Sequence, residues 1–254
     1  MASVPPTRFL MELPRESPYF GQADALLRRN GFSPFEESSQ IQAPLIVTDE
    51  KPWESEARLL DRALNWVGFP KTEGAIDLAI LDCFLSGMKS PGARTWDQSG
   101  PIGVVSLPIG SSDDKPILLN HLETLLHSKL DLPGRIGNQI ITAADELILN
   151  ALFDAPVEPG TGAQIHAKVA RDAYVAPPPD RPCRFETGTL GGGKWIGVSA
   201  TDSFGSIDRG KIARLISRDF TKSTYHVETN HEGAGIGLSS VLKKGGSLSI
   251  HCVP

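Results

Sequence analysis

The chain has 254 residues, of which 40% are hydrophobic and 22% are charged, as is typical of globular proteins in solution. Its formal net charge of −5 disfavours nucleic-acid binding, since proteins that bind the phosphate backbone are usually basic. No run approaches the roughly eighteen apolar residues of a membrane span, and the first residues, MASVPPTRFL, lack the pattern of a signal peptide. These features predict a cytoplasmic protein of one or two domains that binds neither nucleic acid nor a membrane.

The three cysteines, Cys83, Cys183 and Cys252, are far apart in the sequence, and none belongs to a CxxC pair. This spacing argues against a zinc ribbon and against a disulfide framework. We expect reduced thiols that pack as small apolar side chains.

Up to about residue 100, strand patterns alternate with helix patterns, which predicts an N-terminal α/β domain with a mostly parallel sheet (residues 1–100). The Asn30-Gly31 pair is a typical helix stop. The predicted strands are Arg8–Leu13, Pro44–Asp49 and Ile76–Cys83, and the predicted helices are Tyr19–Arg29 and Glu54–Val67.

After Gly100 helices come first and strands later, which predicts an α+β sandwich over residues 101–254. Three stretches rich in Gly, Pro and small polar residues are predicted connections: Lys89–Gly100, Val157–Gly162 and Ala176–Pro182. The predicted helices are Pro116–Leu130, Arg135–Phe153 and Ile207–Phe220. The predicted strands are Ile102–Ile109, Arg184–Thr187, Lys194–Thr201 and the closing Ser247–Val253.

One predicted helix carries Glu146, Asn150 and Asp154 at spacing i, i+4, i+8, so the three lie on one stripe. The apolar positions Ile141, Ala144, Ile148, Ala151 and Leu152 recur at helical spacing and are expected to face the core. By itself, the polar stripe is equally typical of a solvated helix face.

Two further segments favour a binding site. The strand pattern from Val198 ends at Asp202 and is followed by a turn at Gly205. Gly233, Gly235 and Gly237 precede a predicted helix, Leu238–Lys244. Glycines at a helix N-terminus let the backbone approach a phosphate and offer it unpaired N–H groups.

Three motifs follow one another in the chain: ExxxN on a helix, a strand ending in Asp, and GxGxGL. In this order they resemble the motifs of the Bergerat-fold (GHKL, histidine-kinase-like) ATPases. In its brevity the chain is most similar to the serine kinases of anti-sigma type. SLPIGSSDDKPILLNHLETLL is also similar to the strand and first helix with which those kinases open. The resemblance covers about residues 101–254 and implies a sandwich of helices on a mixed, mainly antiparallel sheet.

The resemblance also implies ATP and Mg²⁺ as cofactors and gives each motif residue a role. Asn150 would be the Mg²⁺ ligand and Glu146 the general base. Asp202 would accept a hydrogen bond from the adenine amino group. The other implied nucleotide-binding residues are Asp154, Gly205, Gly233, Gly235, Gly237, Leu238 and Lys222, the last in a lid over Thr221–His231.

The second motif departs from the family pattern DxGxG, since Phe204 and Ser206 stand where glycines are usual. His121 lies in a segment similar to the phosphoacceptor box of histidine kinases, but too little chain separates it from Asn150 for a dimerisation hairpin. We therefore interpret His121 as a surface residue. His226 and His231 have no third ligand at a metal-binding spacing.

In the N-terminal domain, PLIVTDE resembles the third strand of response-regulator receivers, which ends in the phosphoacceptor aspartate, here Asp49. The acidic pair after the first receiver strand is reduced to Glu12, and Leu107 stands where the lysine would be. The segment indicates a degenerate receiver-like domain, with chance similarity as the alternative.

Three interpretations follow. The first is an ATP- and Mg²⁺-binding regulatory protein that phosphorylates a partner of the anti-anti-sigma or signalling type. The second is a non-catalytic interaction module gated by nucleotide, which the changed second motif favours. The third is a pseudo-ATPase paired with a receiver-like interaction domain. The sequence leaves homodimerisation open.

Overall fold

The secondary structure is that of a computed structural model, which describes residues 7–12, 20–34, 45–48, 65–68, 78–89, 96–98, 100–206 and 248–251. These residues fall into two units. The first contains the described residues up to Lys89 together with the strand at 248–251, and the second contains the described residues from Trp96 to Ser206.

The described elements, numbered in chain order, comprise strands, α-helices and a π-helical turn. The strands are β1 Thr7–Glu12, β2 Phe32–Pro34, β3 Leu45–Thr48, β4 Asn65–Gly68, β5 Val105–Ile109, β6 Cys183–Leu190, β7 Trp195–Thr201 and β8 Leu248–His251. The α-helices are α1 Phe20–Arg29, α2 Leu78–Lys89, α3 Asp114–Leu130 and α4 Gly134–Leu149, and the π-helical turn, Asn150–Asp154, follows α4. None of the described helices is long and apolar enough to cross a membrane.

In the first unit, the described strands form one sheet in the order β2-β1-β3-β4-β8. β1 to β4 run parallel to their neighbours, and β8 pairs antiparallel with β4. The predicted parallel layer is therefore confirmed. α1 ends as predicted: the Asn30 side chain donates to the Leu26 carbonyl at 2.9 Å, and Gly31 adopts a φ of 86°.

Two element predictions in the first unit are wrong. The predicted strand Ile76–Cys83 is wrong over residues 78–83, because helix α2 begins at Leu78 and buries Leu81, Phe84 and Leu85 at helical spacing. A short apolar run does not distinguish a buried strand from a buried helix. The predicted helix Glu54–Val67 is wrong over its last residues, because Asn65–Gly68 form β4. Residues 54–64 lie outside the described residues.

The predicted closing strand is present as β8, but its partner differs from the expected one. We expected it to complete the C-terminal sandwich, whereas β8 pairs with β4 of the first unit. Pairing is decided by which sheet edge the chain reaches, and the strand pattern at residues 247–253 contains no information on that choice.

In the second unit, the described strands form an antiparallel sheet in the order β5-β6-β7. A glycine turn joins β6 to β7, with positive φ at Gly191, Gly192 and Gly193. Helices α3 and α4 pack on this sheet, so the unit is an α+β layer. Its buried core contains Ile109, Leu118, Leu122, Leu126, Ala144, Ile148, Leu152, Cys183 and Phe185.

The sheet face opposite these helices carries a contact that the sequence does not predict. The Trp96 ring lies against Gly188 and Gly197, which are register partners on β6 and β7. Asp97 accepts hydrogen bonds from Gly192 N at 2.9 Å and Gly193 N at 3.2 Å. The end of the predicted connection Lys89–Gly100 therefore anchors the hairpin.

Candidate functional site

Helix α4 and the π turn carry the polar stripe. The apolar residues predicted to face the core do so: Ala144, Ile148, Ala151 and Leu152 are buried, and Ile141 packs at the edge of the core. Burial of that face leaves the polar stripe half-exposed, with Glu146 in the last turns of α4.

The surroundings of Glu146 favour the protonated form of its carboxyl. Partial burial raises the pKa of its carboxyl, and the negative charge of Asp145 raises it further. The charges of Arg171 and Lys115 act in the opposite direction. Among the described residues, none forms a hydrogen bond with the Glu146 side chain. A raised carboxyl pKa brings the group closer to the range that suits a general base.

Asn150 occupies the first position of the π turn. The Ala155 N–H donates to the Asn150 carbonyl at 2.8 Å, five residues back, which defines the turn. Its half-buried side-chain amide has no hydrogen-bond partner among the described residues. The amide oxygen is the kind of ligand that Mg²⁺ accepts, so the residue fits the role that the resemblance implies. The described residues contain no group of three or more His, Cys, Asp or Glu side chains that could hold a metal.

Asp154, at the end of the turn, is paired with an arginine. Arg171 Nη2 lies 2.9 Å from each carboxylate oxygen of Asp154, and Arg171 Nη1 donates to the Leu149 carbonyl at 3.3 Å. The guanidinium carbon also lies 5.2 Å from the centre of the Phe153 ring. Both oxygens of Asp154 are thus engaged by protein, and its assignment to the nucleotide site stays a prediction.

Asp202 follows β7 and lies near the same turn. Its Oδ1 accepts a hydrogen bond from Phe204 N at 2.8 Å. Cys183 connects the two regions, since its Sγ donates to the Ala151 carbonyl at 3.7 Å. Burial, with the charge of Asp202 as a smaller cause, raises the pKa of the Cys183 thiol to about 12. Asp202 therefore lies close to Cys183, and Cys183 contacts Ala151, the residue after Asn150 in the π turn. Asp202 thus lies near the turn.

The residues after Asp202 are anchored to the end of the π turn. Phe204 packs against the core, and the Arg181 guanidinium lies 5.4 Å from the centre of its ring. Gly205 has a φ of 63°, which a side chain would disfavour. The Ser206 hydroxyl donates to the Ala155 carbonyl. The side chains of Phe204 and Ser206 thus make contacts that glycines could not make.

Cys83 and Cys183 are buried thiols outside any disulfide among the described residues, as predicted from the cysteine spacing. His121 is exposed on α3, as its interpretation as a surface residue requires. Several predicted site residues lie outside the described residues: Gly233, Gly235, Gly237, Leu238 and Lys222, along with the lid. The same holds for Asp49, Cys252, His226, His231 and the predicted helices Ile207–Phe220 and Leu238–Lys244.

The structure adds two cations that sequence reasoning missed. Lys115, in the first turn of α3, lies 2.8 Å from Asp145 Oδ1, and Arg171 binds Asp154. Lys115 belongs to a recognisable helix start, so its position could have been inferred. Arg171 lies in an irregular loop without periodicity, and no sequence signal marks it.

Searches against protein-family models, curated proteins and solved structures found no match to this chain.

Proposed function

We propose that this chain is an ATP- and Mg²⁺-binding regulatory protein that transfers a phosphoryl group to the hydroxyl of a partner protein, in the manner of anti-sigma serine kinases. The observation that carries the proposal is the pair formed by Glu146 and Asn150. They lie one turn apart on a helix whose opposite face is buried, and neither side chain is hydrogen-bonded to a described residue. Polar groups fixed at a half-buried position without protein partners are suited to bind a ligand.

The roles of the residues follow from their chemistry. Glu146 takes the proton of the attacking hydroxyl, whose oxygen forms the new bond to the γ-phosphorus. The bond from that phosphorus to the bridging oxygen breaks, and ADP leaves with the electron pair. Asn150 would hold Mg²⁺, which would supply charge neutralisation at the phosphates. Asp202 would accept a hydrogen bond from the adenine amino group through Oδ2, the oxygen that Phe204 N does not contact. Catalysis of this kind depends on positioning and electrostatics.

We further propose that the second unit is a Bergerat-type sandwich and that the first is a degenerate receiver-like domain. Helices α3 and α4 on an antiparallel sheet support the first assignment. The strand order β2-β1-β3-β4 supports the second, because it is the order of flavodoxin-like doubly wound sheets, which include receivers.

A second function is favoured by Phe204. Its ring packs on the core, and the Arg181 guanidinium lies 5.4 Å from the ring centre. The family pattern has a glycine at this position, which would leave room beside the adenine. Such a site would bind nucleotide in a changed geometry and would gate a protein–protein contact without chemistry.

Labelled ATP distinguishes the two functions. The wild-type protein is incubated with γ-labelled ATP, Mg²⁺ and candidate serine-containing partner proteins, beside Glu146→Gln and the matched control Glu158→Gln, which changes an exposed glutamate of a loop. The kinase function predicts labelling by the wild type and the control, with a loss of at least about a hundredfold in Glu146→Gln. Nucleotide binding without labelling would favour the non-catalytic function, in which nucleotide controls a protein–protein contact. Equal labelling by Glu146→Gln would show that Glu146 is not the general base.

A further inference from the structure

Arg171 holds both ends of the turn that begins with Asn150. Its Nη1 donates to the Leu149 carbonyl, immediately before the turn, and its Nη2 binds the carboxylate of Asp154, the last residue of the turn. The face of Phe153 supports the guanidinium from within the turn. One side chain from a distant loop thus contacts Leu149, just before the turn, and Phe153 and Asp154 within it.

The turn requires such support because its geometry is uncommon. A π turn holds an extra residue within the helical hydrogen-bond ladder, and such turns are rare and occur frequently at functional sites. The planar guanidinium acts here as a fork, with Nη1 on the Leu149 carbonyl and Nη2 on the Asp154 carboxylate, so it fixes direction as well as distance, which a lysine cannot do. The fork therefore restrains the path of the backbone from Leu149 to Asp154.

We propose that Arg171 is a positioning residue for the Mg²⁺–nucleotide site: by clamping the turn Asn150–Asp154, it sets the direction of the Asn150 amide. The inference rests on the proposed function, since it concerns how the metal ligand is oriented. It also gives Asp154 a role as the partner of Arg171. Residues that orient a metal ligand without touching the metal commonly change metal affinity by about ten- to a hundredfold when replaced.

The first test needs no ligand. Arg171→Lys keeps the charge and loses the fork, and Arg184→Lys is the matched control, since Arg184 is an exposed arginine that bonds to Ser106 instead. In the nucleotide-free protein, hydrogen exchange of the Ala155 amide is expected to be at least about tenfold faster in Arg171→Lys, with exchange at Ile148 unchanged. Unchanged exchange at Ala155 would contradict the inference that Arg171 restrains the turn.

The second test measures ATP affinity by calorimetry with and without Mg²⁺. We expect Arg171→Lys to bind metal-free ATP within about twofold of the wild type and to lose about tenfold or more of the affinity gained from Mg²⁺. Asp154→Ala should cause a similar loss, and the double variant should lose no more than Arg171→Lys alone, because Arg171→Lys already breaks the paired contact with Asp154. Arg184→Lys should behave as the wild type.

Three results would overturn the inference, and they are distinguishable. Equal loss of metal-free and Mg²⁺-dependent binding would mean that Arg171 contacts the nucleotide directly. An unchanged Mg²⁺ effect with a lower unfolding temperature would mean that the clamp serves stability alone. Absence of ATP binding by the wild type would overturn the proposed function, and the role of Arg171 with it.

Discussion

At the scale of single residues, burial and charge set the properties of Glu146. The carboxyl lies on the half-buried face of α4, where desolvation and the neighbouring Asp145 raise its pKa. A group whose pKa is higher in the folded than in the unfolded protein is favoured by the fold in its protonated form. Its stabilising contribution is therefore present at acid pH and is lost as the pH rises through the folded-state pKa.

Glu146→Gln removes this dependence. We expect the variant to unfold at a higher temperature than the wild type at pH 7, because the ionised carboxylate is no longer partly buried. The difference should shrink as the pH falls toward the ordinary glutamate pKa of about 4.3. Thermal unfolding between acid and neutral pH measures this, with the exposed Glu158→Gln as a control that should follow the wild type. A difference that grows toward acid pH would mean that the carboxylate is stabilised by the fold.

At the scale of elements, the hairpin β6–β7 depends on two glycines opposite each other. A Cβ at Gly197 would overlap Trp96 Cζ3 and lie 2.8 Å from Cη2, whereas one at Gly188 would meet the same ring at 3.0 Å. Gly197→Ala is therefore expected to cost about 1–3 kcal/mol of unfolding free energy, and Gly188→Ala less.

The matched control is Gly137→Ala in α4, where an added Cβ meets nothing within 4 Å. That change should be stabilising by about 0.5–1 kcal/mol, since alanine favours a helix interior. In a Trp96→Ala background, Gly197→Ala should lose most of its cost. Denaturant unfolding measures each difference, and an equal cost in both backgrounds would show that the ring is not the cause.

Whether an element could be predicted from the sequence depends on whether its signal is local in the chain. α4 and the β6–β7 hairpin were predictable because a long amphipathic pattern and a glycine turn are local signals. The run from Ile76 was assigned wrongly because a short, mainly apolar stretch has no clear period that separates helix from strand. The partner of β8, the Arg171 clamp and the π turn depend on contacts between distant segments, which a single sequence does not encode in any readable pattern.

At the scale of the whole molecule, the described residues form two units, each with its own buried core. Leu81 is fully buried in the first unit and Leu122 in the second. Truncation of either leucine to alanine is expected to cost about 2–5 kcal/mol.

The loss should appear mainly in the unit that contains the change. Hydrogen exchange resolved by residue measures this: Leu81→Ala should accelerate exchange in α1 and α2, and Leu122→Ala in α3, α4 and the β6–β7 hairpin. Equal acceleration throughout both units by either change would contradict the division, because it would mean that the described residues unfold as one cooperative body.

The central claim is that the end of α4 binds a nucleotide through Asn150. The most direct measurement is calorimetric titration of ATP in the presence of Mg²⁺ into the wild type, Asn150→Ala and the control Asn138→Ala, which changes an exposed asparagine of the same helix. We expect Mg²⁺-dependent ATP binding by the wild type and the control, and a loss of at least about tenfold in Asn150→Ala. Absence of binding by the wild type, or equal binding by Asn150→Ala, would contradict the claim.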